Sequence, residues 1–422
     1  MKQVAKKSDH DKHVVEAVVR RFGPVSRVGI YKLTNFRRNT ISSIVRQLLL
    51  EGRLVEDGRS NNPLGRKQIL LRSNEENGFI VGVEFDDESV VAGVMDLRPR
   101  VKRSIEEPTY LKGGREGLIK QLKSCVRRAM REINLDVKPP VGIGIADPGL
   151  VDSRNGITIT SSTIEFWNQV PLQRIFEDEF GVPCIVESKT RAKTIAERML
   201  GAGQKQDNMI YIDYGTGIGA GIVVDGKLLY GRDCGVGEVG HTHIAEDGPA
   251  CKCGSIGCLE AIAGAAAIEA RIRKALAEGA ASQALELAGG HPEKITAWTV
   301  LSAARAGDKM CGNIVLDIGS LLGTGIANLV NLFNPAVVVL DKRLGLAGDS
   351  LLDQITRTVR GQALTSSSAR LAIRIGELGA EAGLLGIGLA VLEQHFEIPA
   401  LRPPSYMMES AFASDAPLDP AQ

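Results

Sequence analysis

Aromatic residues make up only 4% of the 422-residue chain, which argues against a surface that binds unpaired bases by stacking. No run of 18 apolar residues occurs, so the sequence offers no evident membrane-spanning helix. The opening "MKQVAKKSDHDKH" lacks the apolar segment of a secretory leader. A cytoplasmic protein without a membrane partner is therefore expected. Self-similarity at a short period is also missing, which excludes a solenoid. The seven cysteines, Cys125, Cys184, Cys234, Cys251, Cys253, Cys258 and Cys311, are odd in number. Only three of them cluster, at a metal-like spacing, so a disulfide framework is not expected and the other four read as small buried apolar residues. What remains is a soluble composition, 44% hydrophobic and 24% charged with 47 glycines, long enough for two or three domains and suited to an α/β protein with many tight turns.

Net charge is +1, but the charge is unevenly divided. Residues 1 to 73 hold 16 Lys and Arg against 6 Asp and Glu, leaving 35 against 44 for the rest. Such a split suggests a nucleic-acid-binding head on a body with another task. In the head, "HDKHVVEAVVRRF" (10–22) sets Val14, Val15, Ala17 and Val18 on one helical side before Gly23-Pro24 stops it. Ser26 can cap a short second helix, "RVGIYKL", followed by a "TNF" turn in which Asn35 suits a left-handed backbone. The run "RRNTISSIVRQLLLEG" gives a third helix with a core stripe of Ile41, Ile44, Val45, Leu48 and Leu49, ended by Gly52. Its polar side carries Arg37, Arg38, Asn39, Thr40, Ser42, Ser43 and Arg46. Arg and Asn are the side chains that read guanine and adenine edges in the major groove. Two short strands, "RLVEDG" and "RKQILLR", joined by "RSNNPLG", complete a winged helix-turn-helix, with Arg66 and Lys67 at the wing placed to touch phosphate or the minor groove. A small protein-interaction domain has the same local pattern, but the basic excess favours phosphate as the partner.

From about residue 78, apolar β-branched strands alternate with helices, the pattern of an α/β body in two halves. The loop "YGTGIGAG" (214–221) leads from strand to strand, not from strand to helix. It is therefore a glycine-rich hairpin and not a dinucleotide fingerprint, its glycines serving either a phosphate or the backbone conformation alone. A stronger signal is His241, Cys251, Cys253 and Cys258, one imidazole and three thiolates that make a full tetrahedral set for structural Zn²⁺. His243, in an extended "HTHI", would point away from His241. With one clear histidine ligand and no basic surroundings, the cluster does not fit a DNA-reading finger. Glu238 and Glu260 lie at its rims, so closing the loop around a metal would bring two carboxylates together.

"GEVGHTHI" followed by "CKCGSIGCLEAIAG" resembles the signature of the ROK family, which includes bacterial sugar kinases and sugar-responsive repressors. The resemblance runs from about residue 10 to 395 and takes in "GIGIADPGLVD", "FWNQVPL", "YGTGIGAGIVVDGKLLYG", "NPAVVVL" and "GAEAGLLGIGLAV" in order. The head resembles that of the family's regulator branch. It implies a two-lobed sugar kinase, hexokinase and actin-like (ribonuclease H-like) body with a zinc knuckle. His241, Cys251, Cys253 and Cys258 match the family's zinc ligands, while Glu238 and Glu260, with His241, match groups that face the sugar. The implied layout is a winged helix at 1–75, an effector-binding and oligomerising body at 76–395, and a disordered tail at 396–422.

Three departures from the kinase pattern bear on function. The kinases' Asn-Asp pair, whose Asp takes the proton of the attacking hydroxyl, is Ser188 and Lys189 here, with Arg191 where another Asn is common. A protonated lysine cannot be that base. The phosphate loop reads "EFDDES", so Asp86, Asp87 and Glu88 would repel ATP, and the glycine pair after "NPAVVVL" is Asp341, Lys342 and Arg343. The expectation is a transcriptional regulator of carbohydrate metabolism genes, a repressor with no catalytic residue. It would be a homodimer or homotetramer that binds a double-stranded operator and responds to a sugar or sugar derivative. The basic "SKTRAK" would favour an anionic ligand through Lys189 or Lys193. The alternatives are an ATP-dependent sugar kinase with a DNA-binding domain, or a regulator whose body docks a protein.

Overall fold

The computed structural model describes residues 2–34, 36–60, 67–131 and 139–396; Asn35, Arg66 and the tail from residue 397 lie outside them. Contacts divide the chain into one unit of Met1–Phe79, Asp96–Arg100 and Leu392–Gln422 and another of Ile80–Met95 and Val101–Val391.

In the first unit the order is α1 (Lys2–Phe22), β1 (Val25–Ser26), α2 (Arg27–Thr34), α3 (Arg38–Leu50), β2 (Leu54–Arg59) and β3 (Ile69–Ser73). Helix α1 starts eight residues before the expected residue 10. Its first turns carry no apolar stripe, so periodicity gives no sign of them. Ser26 accepts from the Gly29 amide at 3.2 Å, the expected cap of α2. Helix α3 ends on Gly52 at φ +69°, where Arg53 N–H reaches the Leu48 carbonyl at 2.8 Å and Gly52 N–H that of Leu49 at 3.1 Å. These are the paired bonds of a Schellman end, which a left-handed glycine permits. The strands form an antiparallel sheet in the order β1-β3-β2. Val15, Val18, Ile30, Ile41, Val45, Leu48, Leu54 and Leu71 make the core. Across it, buried Glu16 receives Arg53 Nε at 2.9 Å. Burial raises the Glu16 carboxyl above its ordinary pKa despite the guanidinium.

The second unit holds two five-stranded sheets. The first lobe contains β4 (Phe79–Phe85), β5 (Ser89–Asp96), β6 (Val101–Pro108), α4 (Gly114–Arg131), β7 (Ile143–Asp147), β8 (Leu150–Asp152), β9 (Ile157–Thr160), α5 (Leu172–Phe180) and β10 (Cys184–Ser188). Its sheet runs β10-β7-β4-β5-β6, with β7 parallel to both neighbours. Every residue of β4 and β7 is buried. That explains their continuous apolar runs, since helices cover both faces of a parallel sheet. Strand β6, "VKRSIEEP", has no strand signature in the sequence, because an exposed edge strand carries charge in place of an apolar pattern.

Helix α6 (Lys189–Leu200) leads into the second lobe, whose strands are β11 (Met209–Tyr214), β12 (Ile218–Val224), β13 (Lys227–Leu228), β14 (Val337–Leu340) and β15 (Ala372–Ile375) in the order β13-β12-β11-β14-β15. Helices α7 (Leu259–Ala263), α8 (Ala265–Ala277), α9 (Gln283–Leu287), α10 (Ala297–Arg305), α11 (Lys309–Phe333), α12 (Asp349–Gln362), α13 (Thr365–Ser368) and α14 (Ala382–His395) complete the chain. Among the described residues α11 alone is long and apolar enough to cross a membrane, but 61% of its apolar window is buried and it packs on α10 and α12 as a core helix.

Candidate metal centre and cleft

The metal cluster is built by a loop that folds back on itself. His241 closes a 3-10 turn (Val239–His241), and Cys258 caps α7. Between them Cys251 N–H donates to the Ser255 carbonyl at 2.8 Å, and Gly254 N–H to that of Cys251 at 3.0 Å. Gly257, at φ +68°, lies so close to the Ala245 carbonyl that a Cβ would fall 1.9 Å from it, so only glycine fits. The ligand atoms of His241, Cys251, Cys253 and Cys258 converge within 4.8 Å of one another. Cys251 Sγ is 3.6 Å from His241 Nδ1, and Cys253 Sγ is 3.7 Å from Cys258 Sγ. One imidazole and three thiols in this compass are a donor set that can hold a four-coordinate metal ion. His243 is outside the set, its Nδ1 lying 3.0 Å from the Ile256 carbonyl. The local backbone is a 3-10 turn at His241, not the extended strand expected.

The two rim carboxylates lie within electrostatic reach of each other. Glu260, on α7, accepts from the Ile218 amide of β12 at 3.0 Å. Glu238 stands just before the 3-10 turn. Burial raises its carboxyl pKa, with Glu260 acting in the same sense and His241 and Arg191 opposing. Glu238 thus feels the charges of both Glu260 and His241, and two carboxylates beside an imidazole are acceptors suited to vicinal hydroxyls.

Helix α6 passes between the lobes with three cations on its first turns. Its cap is Ser188, whose Oγ accepts from the Arg191 amide at 3.3 Å. Lys189 Nζ lies 2.7 Å from Asp86 and 3.1 Å from Glu84. Burial would lower the ammonium pKa, but Glu84 and Asp86 outweigh it and raise it above the ordinary lysine value. Burial likewise acts to raise Asp86, and Lys189 with the Ser89 and Glu88 amides overcomes it. Lys193 reaches Asp213 at 2.7 Å and Asp341 at 3.4 Å, and Arg343 binds Asp341 through Nε and Nη2, both at 2.9 Å. Burial opposes ionisation of Asp341, yet Arg343 and Lys193 hold its carboxyl far below the ordinary range. These cations are consumed by internal partners, contrary to the expectation that Lys189 or Lys193 would serve an anionic ligand. Glu84 and Asp213 gave no local signal, because Glu84 is 105 residues from Lys189 and Asp213 is 20 from Lys193, both beyond the reach of any helical or strand period.

The glycine-rich loop is a hairpin between β11 and β12, as read. Its glycines have a packing reason that neither reading supplied: a Cβ at Gly219 would lie 2.9 Å from Thr190 Oγ1, and one at Gly221 1.7 Å from Thr194 Oγ1. Their absence of side chains lets α6 lie flat on the hairpin. Elsewhere, in the first unit, Arg37, Arg38, Asn39, Ser42, Ser43, Arg46 and Lys67 are exposed and Thr40 is half-buried. Arg38 also sits 5.2 Å above the Tyr31 ring.

The ROK family model matches residues 80–394. The chain belongs to the ROK family. It is 29% identical to the xylose repressor of Caldicellulosiruptor bescii over 377 residues, covering 89% of this chain and 93% of that protein. It is 30% identical to the glucokinase of Thermotoga maritima, over 75% of this chain and 98% of the enzyme. A solved ROK transcriptional regulator, a homologue of the Escherichia coli MLC protein, shares the fold with a TM-score of 0.79 at 24% identity, covering 92% of this chain and 96% of that one. The repressor's aligned span exceeds the stretch from residue 80 to the C-terminus, so it reaches into the head, whereas both regulators and kinases share the ROK body.

Proposed function

We propose that this ROK protein is a sugar-responsive transcriptional repressor whose body has given up phosphoryl transfer. One observation carries the reading: half-buried Lys189, at the position where the resemblance to the kinases implies a base, is held in ion pairs with Glu84 and Asp86. A cation so held accepts no proton, and the carboxylates beside it repel a triphosphate. The first unit, residues 1–75 in this reading, is a winged helix-turn-helix. Its α3 enters the major groove of a double-stranded operator, with Arg37, Arg38, Asn39, Thr40, Ser42, Ser43 and Arg46 toward the bases and backbone and Lys67 on phosphate. Arg66 falls outside the described residues.

His241, Cys251, Cys253 and Cys258 would hold a structural Zn²⁺, which supplies rigidity to the loop between Glu238 and Glu260. The effector sits against Glu238, Glu260 and His241. Because α6 leaves its cations paired and the site offers carboxylates, the fitting class is an uncharged, unphosphorylated sugar. As a homodimer or homotetramer, the protein would bind half-sites about 34 Å apart, and a change of lobe geometry on sugar binding would shift that spacing.

Genome-wide mapping of its DNA sites tests the reading; footprints beside carbohydrate genes that change on sugar addition support it. The likeness to a glucokinase favours a second reading, a kinase with an attached head. Sugar-dependent ADP release with ATP and Mg²⁺ would establish that second reading, and we expect none. A sugar at a hundred times its Kd should stabilise the protein by about 2.7 kcal/mol; silence of thermal shift across a sugar library would point instead to a protein partner for the body.

A further inference from the structure

We infer that Arg191 is the positioning residue of the sensing cleft. Its guanidinium fastens the loop that presents Glu238 to the first lobe, so Glu238 keeps its place only while the fork holds both lobes. The inference rests on Glu238 being an effector ligand.

The side chain of Arg191 is 4% exposed. Its Nε donates to Glu187 at 2.5 Å, Nη1 to the Cys234 carbonyl at 2.8 Å, and Nη2 to the Val151 carbonyl at 2.9 Å and to Ser153 Oγ at 3.2 Å. The guanidinium also lies 5.2 Å from the Tyr230 ring. Glu187 and Val151 belong to β10 and β8 of the first lobe, whereas Tyr230 and Cys234 belong to the second-lobe loop that ends at Glu238. The other two cations of the helix start are one-sided: Lys189 meets first-lobe carboxylates and Lys193 second-lobe ones.

The loop needs such a clamp. Cys234 is a buried non-glycine residue at φ +58°, a conformation that persists only where the surroundings fix it. Gly237, next to Glu238, has φ +102°, and a Cβ there would fall 1.8 Å from the Ala220 carbonyl. Arg154 adds a second grip on the Gly231 carbonyl at 3.1 Å. Lysine, a single point charge, cannot serve the four acceptors of a planar fork.

The test is Arg191→Lys in the full-length protein, which keeps the charge beside Glu187 and removes the fork. Hydrogen exchange across residues 230–238 should rise at least tenfold, and calorimetric affinity for D-xylose or D-glucose, whichever the wild type binds, should fall at least tenfold. Metal content per chain and operator affinity without sugar should not change. Ser153→Ala, a milder lesion of the same fork, should move both readouts the same way by a smaller factor, and it stands in if the lysine variant does not fold. Unchanged exchange overturns the inference, as does raised exchange with unchanged sugar affinity. If the wild type binds neither these nor any other uncharged sugar of the library, the effector reading fails and takes this inference with it; a wild type that binds and an Arg191→Lys variant that binds equally sink the inference alone.

Discussion

Two helices begin with a cluster of cations, and they use them in opposite ways. Helix α3 starts with Arg37 and Arg38 and has no side-chain cap, whereas α6 starts with Lys189, Arg191 and Lys193 behind a capping Ser188. In both, positive charge at an N-terminus opposes the helix dipole by about 0.3 to 1 kcal/mol, so neither cluster is there for the helix. On α3, Arg37, Arg38 and Arg46 are exposed and make no ion pair among the described residues. On α6, Arg191 and Lys193 are buried and all three cations are paired with carboxylates. A basic run is thus an exposed face, the one proposed to meet phosphate, in one place and an internal brace in the other, and only the distant partners distinguish them.

The largest expected effect comes from breaking the brace. Lys193→Met leaves half-buried Asp213 and buried Asp341 without that cation, and removal of one member of a buried pair costs about 3 to 5 kcal/mol. Thermal unfolding of the body should drop by several degrees, with partial recovery when Asp213→Asn is added. Arg46→Ala on α3 should change stability by less than about 0.5 kcal/mol. Equal costs at the two sites would erase the contrast.

The reverse contrast is read on DNA. Arg38→Ala and Asn39→Ala should each weaken binding to a mapped operator by about 1 to 3 kcal/mol and relax its sequence preference. Lys67→Ala should weaken all sequences alike and reduce the salt dependence by about one counterion. Lys193→Met should leave the sugar-free footprint intact. A footprint indifferent to Arg38 and Asn39 would remove α3 from the reading role.

These two helices also mark how far the sequence could be read. The head was legible because its signals are local: Ser26, the Ile41 to Leu49 stripe and Gly52 act within a turn or two of themselves. The metal cluster was legible for the same reason, since four ligands within eighteen positions need only one loop. What α6 does was not legible. Its basic run looked like an offer to an anion, and the carboxylates that answer it lie in β4, β11 and the turn after β14. The glycines of the hairpin were found, but their purpose depended on Thr190 and Thr194 of a helix no periodicity pairs with them.

A smaller effect should follow from the metal loop. Cys251→Ser is expected to lower metal content per chain, measured by elemental analysis, and to weaken sugar response by roughly tenfold, about 1.4 kcal/mol. Operator binding without sugar should persist, since α3, the helix proposed to read the operator, lies in the other unit. Loss of both together would mean that the metal holds the whole protein and not the cleft.

The smallest effect is expected in the first unit, where His395 and Phe396 pack on His13 of α1. Burial pushes the His395 imidazole down to about 4, with His13, Arg53 and Arg20 acting in the same sense. Burial, Arg53 and His10 also lower His13. A histidine held neutral in the folded state but ionising near 6.5 when unfolded stabilises fully above pH 6.5, and that stability is lost as pH falls from 6.5 toward 4. Because the ring is only partly buried, the loss is discounted to about 1 kcal/mol. His395→Leu should flatten the fall in melting temperature over that window, leaving the smaller slope due to His13. A variant with an undiminished slope would place the acid sensitivity in the carboxylate braces of the body, where Asp86 and Asp341, held below their ordinary range, lose their pairing only at lower pH.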